Sequence, residues 1–117
     1  MLTIEKIKRK IAEHPIIIFM KGSPDYPSCG FSAQTVKLLS ACGEKFAYVD
    51  VLKNQDIRLE LPKYAQWPTF PQVWIDGKLI GGCDIIFEMF QSGELQTLIK
   101  ETADKYRCNN KPRSSNI

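Results

Sequence analysis

The run Ile16-Ile17-Ile18-Phe19-Met20 constrains the fold of this chain more than any other stretch. It is rich in β-branched residues and apolar throughout, as a central strand covered on both faces requires. Helices must then pack above and below it, and the flanks supply them. Upstream, Thr3 is placed to cap a helix with Ile4, Ile7 and Ile11 on one face and Lys, Arg and Glu on the other, stopped by Pro15. Downstream, Lys21 to Pro27 has loop composition. An apolar-periodic stretch from about Gly30 to Cys42, ended by Gly43, predicts a second helix. Phe46 to Val51 predicts a second strand. Strand, helix and strand in that order make a right-handed parallel unit.

The second half completes the sheet. Asn54 is placed to cap a short helix with Ile57 and Leu61 inward, and Pro62 either breaks it or opens a further turn with Tyr64 and Ala65. Gln72 to Ile75 and Lys78 to Ile80 flank Asp76-Gly77, a two-residue hairpin signal. Gly81-Gly82 leads into Cys83-Asp84 and a helix through Phe90, stopped near Gly93. A last helix carries Leu95, Leu98, Ile99 and Ala103. The polar stretch from Arg107, with Pro112, predicts a disordered tail over 107–117 and one domain over 1–106. The expected class is α/β, a four-stranded mixed sheet flanked by helices on both faces.

A net charge of +3 invites a nucleic-acid reading, but its placement argues against one. Arg107, Lys111 and Arg113 sit in the tail, which has no acid, and the remaining 13 acidic residues are matched one for one by basic residues. The body is neutral, so a basic groove is not expected. Lys6, Lys8, Arg9 and Lys10 precede an apolar run as in a signal peptide, but that run is too short and no small-residue cleavage site follows. No stretch approaches the roughly 20 apolar residues of a membrane span. The expected compartment is the cytosol, with reduced thiols.

Four cysteines remain to be explained, and Cys29 stands apart. It lies in Pro27-Ser28-Cys29-Gly30-Phe31-Ser32, between the first strand and the second helix. Unpaired N–H groups at a helix start favour thiolate over thiol. A dithiol redox site would place a second cysteine three positions on, where this chain has Ser32. Cys42 falls in the last turn of an apolar helix and reads as a small core residue, and Cys108 falls in the tail. There is no Cys-x-x-Cys pair, so a structural zinc site is not expected. His14, the single histidine, reads as a helix end.

The order of elements, with Cys29 at its junction, resembles the thioredoxin fold. Cys29-Gly30-Phe31-Ser32 resembles the signature of the monothiol glutaredoxins of the single-domain CGFS class. Lys21-Gly22, Trp67-Pro68-Thr69-Phe70-Pro71-Gln72 and Gly81-Gly82-Cys83-Asp84 also stand where that family has them, so the likeness spans roughly residues 3 to 106. The resemblance implies glutathione binding and a two-iron, two-sulfur (2Fe–2S) cluster shared between two protomers. It implies three kinds of partner: a second copy of the chain when the cluster is bound, a BolA-type protein, and apo-proteins that accept the cluster.

Residue by residue, the resemblance places the two glutathione carboxylates and its ammonium. Lys21 and Arg58 meet the glycyl carboxylate. Phe70, before a proline that is cis in this fold, pairs its backbone with the cysteinyl unit. Cys83, through its backbone at a helix start, meets the γ-glutamyl carboxylate, and the Asp84 side chain meets the ammonium. On residue type alone, Arg58 is a solvated surface residue, Asp84 a helix cap, and Pro68 and Pro71 merely start a strand. Cys29 is the working sulfur and the expected cluster ligand. Such a cluster takes four ligands, usually thiolates. One chain brings one, a bound glutathione a second, and two copies of that pair complete the set. Two further readings stay open: a weak glutathione-dependent oxidoreductase acting on protein–glutathione mixed disulfides, and a redox-silent adaptor. An intramolecular disulfide between Cys83 and Cys29 is a minor alternative.

Overall fold

A computed structural model of the chain describes residues 1–109. Its elements run α1 (Thr3–Glu13), β1 (Ile16–Met20), α2 (Gly30–Ala41), β2 (Ala47–Asp50), α3 (Gln55–Ala65), β3 (Gln72–Ile75), β4 (Lys78–Gly81), α4 (Cys83–Ser92) and α5 (Glu94–Asn109). The four strands form one mixed sheet in the order β2-β1-β3-β4. β1 pairs in parallel with β2 and antiparallel with β3, and β3 pairs antiparallel with β4. This is the expected architecture, and it is a thioredoxin fold.

The period-2 geometry of a strand sorts the apolar run of β1 into two cores. Ile16, Ile18 and Met20 pack with Val73 and Ile75 against Val36 and Leu39 of α2, Ile86 of α4, and Leu95 and Ile99 of α5. Ile17 and Phe19 face the other way, with Val49, Val51 and Trp74, against Ile7 and Ile11 of α1 and Ile57 and Leu61 of α3. The β3–β4 turn is made by Asp76 (φ 52°) and Gly77 (φ 78°), the double positive φ that a two-residue hairpin of this twist demands.

Local details differ from the sequence expectation for physical reasons. Leu2, not Thr3, occupies the N-cap position of α1. The Thr3 hydroxyl instead donates to Asp56 Oδ2 at 3.2 Å, and Lys6 pairs with the same carboxylate, tying α1 to α3. Asn54 does precede α3, but its side chain donates to the Asp50 carbonyl at 2.8 Å rather than capping the helix. Pro62 lies inside α3 without breaking it. A proline in a helix interior costs about 3 kcal/mol. Ile57 and Leu61, both fully buried on that helix, each return roughly 1.5–3 kcal/mol.

The last helix runs further than its apolar pattern suggests. Arg107, Cys108 and Asn109 are its final residues, not the start of a disordered tail. Polar anchors explain the extension. Tyr106 and Lys105 donate to the two Asp76 carboxylate oxygens at 2.7 and 2.9 Å, and Arg107 donates to Glu44 at 2.8 Å and pairs with Asp104. The rest of the expected tail, 110–117, lies outside the described residues.

Candidate functional site

The sheet and α2 bring Cys29 to the C-terminal edge of β1. The chain leaves β1 at Lys21 and turns at Gly22, whose φ is +92°. A side chain there would put its Cβ 2.5 Å from the Tyr26 carbonyl oxygen and 2.7 Å from the Ser28 nitrogen, so only glycine fits. The loop closes back on itself through Ser28 N–H donating to the Lys21 carbonyl at 2.9 Å. Asp50, at the end of β2, holds it from beside. Its Oδ1 accepts from Gly22 N–H at 3.0 Å and Leu52 N–H at 2.9 Å.

Cys29 is therefore delivered in extended conformation to the N-cap of α2, where its sulfur accepts from the Ser32 N–H at 3.3 Å. The Ser32 Oγ lies 3.2 Å from that sulfur and accepts from the Lys21 N–H at 3.2 Å. Burial, the largest single influence on this thiol, disfavours the charged form. The Ser32 hydroxyl, the N–H groups of Ser32 and Phe31 and the Lys21 charge together outweigh it, so the Cys29 pKa falls below the ordinary thiol value. Cys42 shows the contrast. Its half-buried sulfur reaches the Leu38 carbonyl at 3.4 Å, and burial pushes its pKa up.

Beside Cys29 opens a cleft of about 770 Å³. Lys21, Arg58, Phe70, Cys83 and Asp84, drawn from four separate segments, all line it. Cys29 is not itself a lining residue; Lys21 and Phe31, on either side of it in sequence, are. The Phe70–Pro71 bond is cis. Two cations thus share the cleft with the start of α4, whose N-cap, Gly82, offers no side-chain acceptor. The first backbone N–H groups of a helix have no intrahelical partner and favour an anion. With Asp84 among its lining residues, the cleft suits a ligand with several negative groups and one positive group.

The other expectations fall as follows. Cys83 is the first residue of α4 and half-buried, and Cys108 is exposed on α5. Asp84 sits inside the first turn of α4 rather than capping it. His14 ends α1. Among the described residues, no group of three or more His, Cys, Asp or Glu side chains is gathered as a metal site, and no helix is long and apolar enough to cross a membrane.

Four residues have roles at the site that the sequence did not disclose. Ser32, fully buried, is a hydrogen-bond partner of the sulfur and not merely the absence of a second cysteine. Trp67 and Leu59 form apolar wall. Gln72, also fully buried, donates through Nε2 to the Trp67 carbonyl at 3.0 Å and accepts from Trp74 Nε1 at 3.2 Å, pinning that wall to the sheet. Its place at the end of the Trp67-to-Gln72 motif was the signal the sequence offered.

Comparison with known proteins adds the following. A family model described as Glutaredoxin matches residues 16–80. Glutaredoxin 4 of Escherichia coli (strain K12) is 72% identical over 105 residues, covering 90% of this chain and 91% of that protein. Glutaredoxin 4 of Haemophilus ducreyi is 64% identical over 106 residues, covering 91% of this chain and 99% of that protein. Among solved structures, reduced poplar apo GrxS14 superimposes with a TM-score of 0.74 at 40% identity, over 86% of this chain and 92% of that one. A buckwheat glutaredoxin–glutathione complex does so with a TM-score of 0.77 at 25% identity, over 86% and 90%.

Proposed function

This chain belongs to the glutaredoxin family, as a monothiol member similar to bacterial glutaredoxin 4, and from that premise we propose that it binds glutathione in the cleft and carries a 2Fe–2S cluster as cargo between two copies of itself. The observation that carries the proposal is the acidified Cys29 sulfur beside a cleft lined by Lys21 and Arg58 and facing the open N-terminus of α4.

The ligand and the cleft match group by group. Glutathione has two carboxylates, one ammonium and one thiol. Lys21 and Arg58 suit the first carboxylate, the α4 N–H groups at Cys83 and Asp84 suit the second, and the Asp84 carboxylate suits the ammonium. Phe70 also lines the cleft, and its backbone suits the cysteinyl unit. The glutathione sulfur then lies on the Cys29 side.

The donor set of one chain fits a shared cluster. The Cys29 pKa is lowered, and burial shifts that of Cys42 the wrong way for a ligand. One protein sulfur and one glutathione sulfur from each of two copies make four. Half of those ligands dissociate, which suits delivery more than fixed electron transfer. The same reading supplies a BolA-type protein as an alternative partner, apo-proteins as acceptors, and a reducing, cytosolic setting.

The lowered Cys29 pKa also supports a second reading, a slow glutathione-dependent oxidoreductase. The Cys29 thiolate attacks the glutathione sulfur of a mixed disulfide and releases the protein thiolate. A second glutathione thiolate then attacks the bound glutathione sulfur, giving glutathione disulfide and restoring the Cys29 thiolate. The two readings separate on reconstitution with iron, sulfide and glutathione under anaerobic conditions. Colour that requires glutathione and Cys29 supports the carrier; no colour with brisk mixed-disulfide turnover supports the enzyme.

A further inference from the structure

The two most exposed aromatic side chains among the described residues flank Cys29: Tyr26 at 82% and Phe31 at 65%. A single exposed ring is ordinary, but two beside the working sulfur form a patch of the kind that marks an interaction site. Neither ring hangs on a loose backbone. Tyr26 N–H donates to the Ser23 carbonyl at 3.1 Å and to Ser23 Oγ at 3.2 Å, its carbonyl accepts from Ser23 N–H at 3.3 Å, and Gly22 bridges Pro27. Phe31 stands in the first turn of α2. The loop satisfies its polar backbone within itself and presents an apolar ring to solvent on a fixed stem. A ring held this way loses little freedom when covered, which suits it to anchor an interface.

The function proposed above says what covers the patch. A cluster that takes one Cys29 from each of two copies brings those two residues within its own width. Two or three residues of chain reach at most about 11 Å, so Tyr26 and Phe31 of each copy stand beside the two-fold axis. Contacts across such an axis are self-complementary. Aromatic rings meet that demand, because they pair with one another in offset or edge-on geometry.

The area decides how firmly the copies are held. A covered aromatic side chain buries about 150–250 Å². Four rings at these exposures offer on the order of 600 Å² in all, about half of the roughly 1,200 Å² that the smallest stable interfaces bury. The rings alone do not keep two copies together, but they add to a contact that a shared cluster has already closed. We propose that Tyr26 and Phe31 are the protein–protein contact of a cargo-dependent dimer, which lengthens the time two copies hold the cluster and lets them part once it leaves. The proposal rests on the shared-cluster reading and names the surface that reading lacks.

The test compares the wild type with Tyr26→Ser, Tyr26→Phe, Phe31→Ser and Tyr48→Ser, the last an exposed aromatic on β2. Each is loaded anaerobically with iron, sulfide and glutathione, diluted into a chelator, and followed by colour and sedimentation. Tyr26→Ser and Phe31→Ser are expected to lose cluster and dimer about tenfold faster than the wild type, while Tyr26→Phe and Tyr48→Ser stay within about twofold. Tyr26 is not among the residues lining the cleft, so glutathione binding to the apo Tyr26→Ser chain, measured by calorimetry, stays within about twofold of the wild type. A wild-type lifetime in Tyr26→Ser or Phe31→Ser, or an equal loss in Tyr48→Ser, overturns the proposal and leaves the cluster reading standing. Weakened glutathione binding by Tyr26→Ser assigns its loss to the cleft and also overturns it. If the wild type takes up no cluster, that reading falls, and NMR of the apo chain decides this one. Amide shifts over residues 23–31 that move as the concentration approaches the order of 1 mM, and stay fixed in Tyr26→Ser, support the patch; shifts independent of concentration overturn it.

Discussion

Replacing Gly22 by alanine tests how the loop delivers Cys29. Two costs add at this position. A φ of +92° strains any L-residue by about 1–2 kcal/mol. The new Cβ also falls 2.5 Å from the Tyr26 carbonyl oxygen and 2.7 Å from the Ser28 nitrogen, both backbone atoms. Backbone shifts of that kind cost about 1–3 kcal/mol more. The expected loss is therefore about 2–5 kcal/mol, a large share of a small domain's roughly 5–15 kcal/mol. Gly43 serves as the control, because its φ is +81° but nothing lies within 4 Å of an added Cβ. Gly43→Ala pays only the strain. Urea unfolding of both variants measures the difference, and alkylation of Cys29 reports the loop. Gly22→Ala is expected to lose more stability than Gly43→Ala and to alter the Cys29 pH profile, because Ser28 and Lys21 no longer meet. Equal losses with an unchanged profile would refute the reasoning.

Other consequences are as direct. Lys21→Glu reverses a charge on the cleft wall and is expected to weaken glutathione binding by about tenfold or more, with little change in melting temperature; unchanged binding by calorimetry removes Lys21 from the site. Gln72→Ala strips the buried partner of the Trp67 carbonyl and Trp74 Nε1 and is expected to cost about 2–4 kcal/mol in urea unfolding, where a loss under about 0.5 kcal/mol would contradict the pinning role. Asp76 is held below the usual carboxylate range, first by Lys105 and then by Tyr106. Its contribution is thus complete above the ordinary carboxylate pKa and disappears as pH falls through the lower folded value. Asp76→Asn should cost under about 1 kcal/mol near neutral pH, because the pair is largely solvated, and nothing in strong acid; a constant offset across pH would contradict the linkage.

The sequence disclosed the elements well and their partnerships less well. The apolar run of β1 announces a doubly covered strand, and Asp76-Gly77 announces a hairpin, because both signals are local. Pro62 was ambiguous because its local cost is opposed by core contacts of Ile57 and Leu61 made across the molecule. The end of α5 was read short because its last turns are held by Asp76 and Glu44, far away in sequence, and not by an apolar stripe. On residue type alone Arg58 read as a solvated surface residue and Asp84 as a helix cap; the resemblance put both at one ligand, and in the fold both line one cleft. Ser32 was legible as a missing cysteine, but a hydroxyl's partners are set by backbone geometry at β1 and α2.

The central claim is that one chain brings a single usable sulfur and that glutathione and a second copy complete the set. Anaerobic reconstitution followed by sedimentation and glutathione quantitation measures it most directly. The expected product is a coloured dimer holding one glutathione per chain, lost in Cys29→Ser or without glutathione and kept in Cys42→Ser. A coloured single chain free of glutathione would contradict it.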